Sequence, residues 1–92
     1  MTLETTVVTF KLNGTFREWS AIFDSDEANR RHAEYGIKPL YRGVNKEDPQ
    51  KVIVIHQHHE GGLDKFLAAN GEWISTHDVE MTSLEQSTWI VD

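Results

Sequence analysis

The sequence contains no cysteine, which excludes a disulfide framework, a thiolate nucleophile and thiolate metal ligands. A reducing compartment is the expected setting. It lacks any apolar run near the ~20 residues needed to cross a membrane as a helix. The first ten residues, Met1 to Phe10, also lack the basic start of a signal peptide. A soluble, cytoplasmic protein with no membrane partner is expected. Basic charge is scarce where it would matter for phosphate backbones. Residues 1–46 carry seven Lys/Arg against six Asp/Glu, whereas residues 47–92 carry two against nine. The net charge of −6 therefore sits in an acidic second half, which repels nucleic acid. Gly61-Gly62 lacks the further glycines and the lysine of a phosphate-binding loop. No Ser-His-Asp order stands out.

What the sequence does have is the run Lys51 to Glu60, KVIVIHQHHE, with four β-branched residues in a row followed by three of the five histidines. This is the expected central strand, and the other elements are placed around it. Val8, Phe10 and Leu12 alternate with Val7 on the opposite face, which predicts a strand over Thr5 to Leu12. Asn13-Gly14 ends it. Thr15 with Glu18 has the spacing of a helix N-terminal capping box, and Phe16, Trp19 and Phe23 recur at helical intervals. Asp24 to Glu27 interrupts or kinks that helix, with Asp24 or Ser25 as a new cap. A second helical piece then runs to about Tyr35, with Ala28, His32 and Tyr35 inward and Gly36 as its stop.

Ile37 to Val44 predicts a strand at a sheet edge, because Pro39 has no N–H to donate to a ladder. The short polar turn Asn45 to Gln50 makes it an antiparallel partner of the central strand. Leu63 to His77 has helical periodicity, weakened by Gly71, and Ser83 to Val91 closes the chain as a last strand.

The order βαββαβ over residues 1–92 predicts one domain of the α+β class. It is the ferredoxin-like arrangement, a four-stranded antiparallel sheet with helices on one face. Val52 and Val54 fill one side of the central strand and Ile53 and Ile55 the other. An open sheet side should be polar, so a cover is needed for the second side. With no further elements in the chain, a second copy is the expected cover, giving a homodimer through the sheet face.

The helix with Trp19 and Phe23, followed by GIKPLYRGV and DPQKVIVIHQ, resembles a small uncharacterised family found in cyanobacteria. The resemblance covers nearly the whole chain and implies the layout of the dimeric α+β barrels, which include antibiotic-biosynthesis and haem-degrading monooxygenases. The haem-degrading group uses a first-strand asparagine, a third-strand tryptophan and a second-helix histidine. Here His77 is expected on the second helix, but Asn13 falls at a strand end and His56 stands where the tryptophan is wanted. Only one of the three roles is filled, so haem degradation is a minor alternative.

His56 and His58 share one face of a continuing strand and His59 the other. With Glu60 next they could approach a zinc or other divalent-ion set, but without a clear fourth ligand they are not expected to hold a metal, and no cofactor is expected. The alternative for His58 and His59 is a solvated turn beyond Gln57. Polar residues within apolar helix stripes say more, since burying one unpaired costs about 1–3 kcal/mol. His32, Asn70 and His77 are such residues. With Trp73 and His56 they are the expected lining of one cleft, for a small apolar or aromatic ligand. Arg30-Arg31 is expected on a solvated helix face. Three functions follow. One is a homodimeric small-molecule-binding module. Another is a cofactor-independent monooxygenase or isomerase with His56 or His32 as base. The third is a dimeric scaffold or regulatory protein with no ligand.

Overall fold

The structure, a computed structural model, describes residues 3–90. Its elements are β1 (Leu3–Leu12), α1 (Phe16–Phe23), α2 (Asp26–Glu34), β2 (Lys38–Val44), β3 (Lys51–His59), α3 (Gly62–Ser75) and β4 (Val79–Ile90). The four strands form one antiparallel sheet in the order β2-β3-β1-β4. This is the ferredoxin-like α+β fold, with the helices on one side of the sheet.

Local chemistry accounts for most of the boundaries. The Thr15 side chain accepts the Glu18 N–H and starts α1. Of the two candidate caps at the helix break, Ser25 is the one used: its hydroxyl oxygen accepts the Ala28 N–H at 3.2 Å. Gly36 ends α2 with φ +66°, a left-handed conformation that other residues avoid. Pro39 lies on edge strand β2, where its missing N–H costs no ladder bond, and the register shifts between Pro39 and Tyr41.

The sheet side under the helices carries Thr6, Val8, Phe10 and Leu12 from β1 and Val52, Val54, His56 and His58 from β3, all buried. Trp19 and Phe23 of α1 pack over it. The Trp19 ring meets Phe10 edge-on at 5.4 Å and stacks on Phe23 at 4.9 Å.

Two boundaries differ from expectation. Helix α3 stops at Ser75, so His77 lies in the turn after it and not on its face. The Asp78 carbonyl accepts the Asn13 N–H at 2.8 Å, and Asp78 takes φ 67°. Tying this turn to the end of β1 forces the chain out of the helix. Strand β4 accordingly begins at Val79, opposite Leu12, well before Ser83. Ser83 sits at a register shift, where its hydroxyl oxygen accepts the Lys11 N–H. A polar side chain standing in for a backbone carbonyl hides the strand from a pattern reading. The expected last strand residue, Val91, lies outside the described residues.

Two glycines should respond oppositely to alanine. A Cβ at Gly36 meets nothing within 4 Å, so the Gly36→Ala cost is backbone strain alone, about 1 kcal/mol of lost stability. Gly71, inside α3, would meet only Met81 Cε at 4.0 Å, and Gly71→Ala should add about 0.5–1 kcal/mol. Urea denaturation midpoints check both signs.

Candidate functional site

A cavity of ≈ 70 Å³ lies between the helices and the sheet. Its floor is Val8, Phe10, Val54 and His56 from the strands, with Trp19, Ala28, His32 and Phe66 as walls. Half-buried Phe23, Trp73, Ile74 and His77 stand at the rim. The break between α1 and α2 makes room for it, because α2 restarts from Ser25 and carries Ala28 and His32 over β3.

His56 lies within β3, in register with Thr6 of β1. Two residues apart share a strand face, so His56 follows Val52 and Val54 beneath the helices. Neither of its ring nitrogens has a hydrogen-bond partner, although the residue is only 6% exposed. Burial, and secondarily His32 and His58 nearby, push its pKa down to about 3. The ring is therefore neutral at ordinary pH. His32 is 5.2 Å from it between ring centroids and stacks on Phe66 at 4.7 Å. Burial also lowers the His32 pKa, against an opposing hydrogen bond to the Ala28 carbonyl.

The structure brings His56, His32, Trp73 and His77 to this cavity. His77 reaches it from the turn, its ring edge-on to Trp73 at 5.0 Å. Asn70 does not line it, contrary to expectation. Its side chain is buried in hydrogen bonds of its own: Nδ2 donates to the Phe66 carbonyl at 3.2 Å, and Oδ1 accepts from Arg31 Nη1 at 2.7 Å. Arg31 likewise departs from a purely solvated role. Besides pairing with Glu27 at 3.2 Å, its guanidinium lies over the Trp73 ring at 4.4 Å. Arg31 thus ties α2 to α3 beside the rim. Arg42 makes a surface ion pair, donating from Nε to Asp24 at 2.9 Å.

His58 is the polar residue underrated by the sequence. It lies on the strand, 3% exposed, and not in a solvated turn. Nδ1–H donates to the His59 carbonyl at 2.8 Å, which leaves Nε2 to accept the Thr6 hydroxyl at 2.7 Å; Thr6 in turn accepts from Thr88 at 2.9 Å. The signal was present, since Thr6 stands two residues before Val8 on the same face of β1. Among the described residues, no group of three or more His, Cys, Asp or Glu side chains is placed to hold a metal ion. No helix among them is long and apolar enough to cross a membrane.

The chain belongs to the family described as Domain of unknown function (DUF3764), matched over residues 3–91. No curated protein matches it. Among solved structures, a nipsnap family protein with unknown function from Agrobacterium tumefaciens is similar, with a TM-score of 0.66 at 13% identity over 97% of this chain and 87% of that one. A monooxygenase from the gene ActVA-Orf6 of Streptomyces coelicolor, in complex with Nanaomycin D, gives a TM-score of 0.61 at 15% identity, over 99% and 88%. A dimeric ferredoxin-like protein from an uncultured marine organism gives 0.59 at 9%, over 100% and 90%. At such identities this DUF3764 chain shares a fold with these proteins, and a fold alone does not carry activity.

Burying His56 neutral has a consequence for acid stability. In the unfolded chain its imidazole protonates near the ordinary 6.5, in the folded chain only near about 3. Between these values the unfolded state binds more protons, so stability falls as pH falls. The slope from this one group reaches about 1.4 kcal/mol per pH unit. His56→Phe should flatten the stability profile by up to that slope between pH 6 and 4, read from urea midpoints across pH. An unchanged slope would mean that His56 is not held neutral in the folded protein.

Proposed function

We propose that this protein is a homodimeric module, with one ferredoxin-like domain per protomer, that binds a small, largely apolar molecule in the cavity between helices and sheet. The observation that carries the reading is His56: a buried side chain with two unpartnered ring nitrogens, facing a cavity otherwise walled mainly by apolar groups. Small-molecule sites are commonly apolar with a few placed polar groups. The cavity holds about half the ~150 Å³ that accommodates benzene in a buried site. A ring-sized ligand therefore displaces the half-buried rim or projects past it.

The dimer rests on the other side of the sheet. Register places Val7, Ile55 and Tyr41 in one row across β1, β3 and β2, with Ile53 and Trp89 on the same side. Tyr41 is 57% and Trp89 64% exposed. An apolar row of this kind on one protomer suits a second identical row.

A second reading, a cofactor-independent monooxygenase or isomerase, is favoured by one feature. His32 commits Nδ1 to the Ala28 carbonyl, so a neutral Nε2 is available in the cavity as a base. A dimeric scaffold without ligand is the third reading, and it predicts that no small molecule binds.

Two measurements test the proposal. Ile55→Lys places a charge at the centre of the open sheet side and should give monomers or insoluble protein, whereas wild type scatters light as a dimer at micromolar concentration. A stable wild-type monomer there overturns the dimer. In a thermal-shift screen of small aromatics, a bound compound at ten times its Kd adds about 1.4 kcal/mol and raises Tm by several degrees. Ala28→Leu, which fills the cavity, should abolish that shift.

A further inference from the structure

The ring chemistry around the cavity selects what the bound molecule carries, an inference that rests on the binding role proposed above. His32 Nδ1 lies 2.7 Å from the Ala28 carbonyl oxygen. A carbonyl oxygen only accepts, so Nδ1 holds the hydrogen and the neutral ring presents Nε2 as a lone pair. His56, the adjacent ring, has neither nitrogen engaged. Neutral imidazole carries one N–H and one lone pair. The histidine pair therefore combines one committed acceptor with one free N–H donor. We propose that the cavity takes an uncharged, compact molecule bearing a hydroxyl group, whose hydrogen goes to His32 Nε2 and whose oxygen accepts the His56 N–H.

The other simple polar groups fit this pair less well. A carboxylate only accepts, so it would face the His32 lone pair unless His32 took a proton, which burial opposes. An ammonium group would be stripped of water among apolar walls with no counter-charge lining the cavity. A ketone satisfies His56 and leaves Nε2 of His32 unpaired. A hydrocarbon leaves both rings unpaired, each unmet group being costly to bury. A hydroxyl both donates and accepts through one oxygen, so a single atom between the rings meets the His32 lone pair and the His56 N–H together.

The test uses wild-type protein, phenol, toluene and benzoate at pH 7.5, with affinities from two-dimensional NMR titration. Phenol should bind at least about tenfold more tightly than toluene, and benzoate should not bind. In His32→Phe and His56→Phe the preference for phenol over toluene should fall toward equality. Independently of any ligand, ¹⁵N shifts of the histidine rings should show His32 protonated at Nδ1 and not at Nε2. Equal affinity for phenol and toluene, tighter binding of benzoate, or a His32 hydrogen on Nε2 each overturns the hydroxyl assignment while leaving a binding cavity in place. Silence from all three probes overturns both the assignment and the binding role.

Discussion

The rest of the structure depends on the two-residue alternation of β3. Val52, Val54, His56 and His58 follow one another on the side beneath the helices, all buried. The first half of this row is hydrocarbon and the second half is imidazole. At Val52 the core closes as an ordinary apolar layer, and Val54 already forms part of the cavity floor. Under His56 and His58 it must find hydrogen-bond partners or leave polar atoms bare, and each histidine takes a different course. His58 is paired through Thr6 and its own neighbouring carbonyl. His56 is not paired, and the cavity forms beside it.

The helices answer this gradient. Ser25 caps a new helix only two residues after α1 ends, turning the chain so that His32 comes down beside His56. A single uninterrupted helix would have continued the Phe16, Trp19, Phe23 stripe along one axis. Two short helices, with α3, instead enclose a space with aromatic walls and three imidazoles. Arg31 then joins α2 to α3 through Asn70 and the face of Trp73. This places a charged side chain, anchored at three points with Glu27, beside the cavity. The polar residues of the helix stripes thus serve two separate ends: His32 faces the cavity, whereas Asn70 positions the arginine.

The opposite side of the sheet obeys the same alternation with a different result. Ile55 is held between Val7 and Tyr41 in register and Ile53 between Thr9 and Gly43, and no helix among the described residues covers them. The strand is apolar on both sides, a pattern at odds with a sheet that faces water. One strand therefore carries the two features on which both functional proposals rest, the cavity above and the uncovered side below.

Much of this was legible in order along the chain. The strand and helix types, the edge position of Pro39, the stop at Gly36 and the shared face of His56 and His58 follow from short-range rules: side-chain period, capping spacing and proline's missing N–H. These signals act within a few residues, so the sequence alone determines them. Tertiary structure decided what required long-range partners. Helix α3 ends early because the Asp78 carbonyl binds Asn13, and β4 begins early because a serine hydroxyl replaces a ladder acceptor. Asn70 turned from cavity residue to anchor because Arg31, 39 positions away, reaches it. His58 is buried because Thr6, 52 positions away, supplies its bond. Period and propensity say which side of an element a polar atom faces. Only the packed chain decides which atom meets it there, because the energy of a buried polar group lies in its partner.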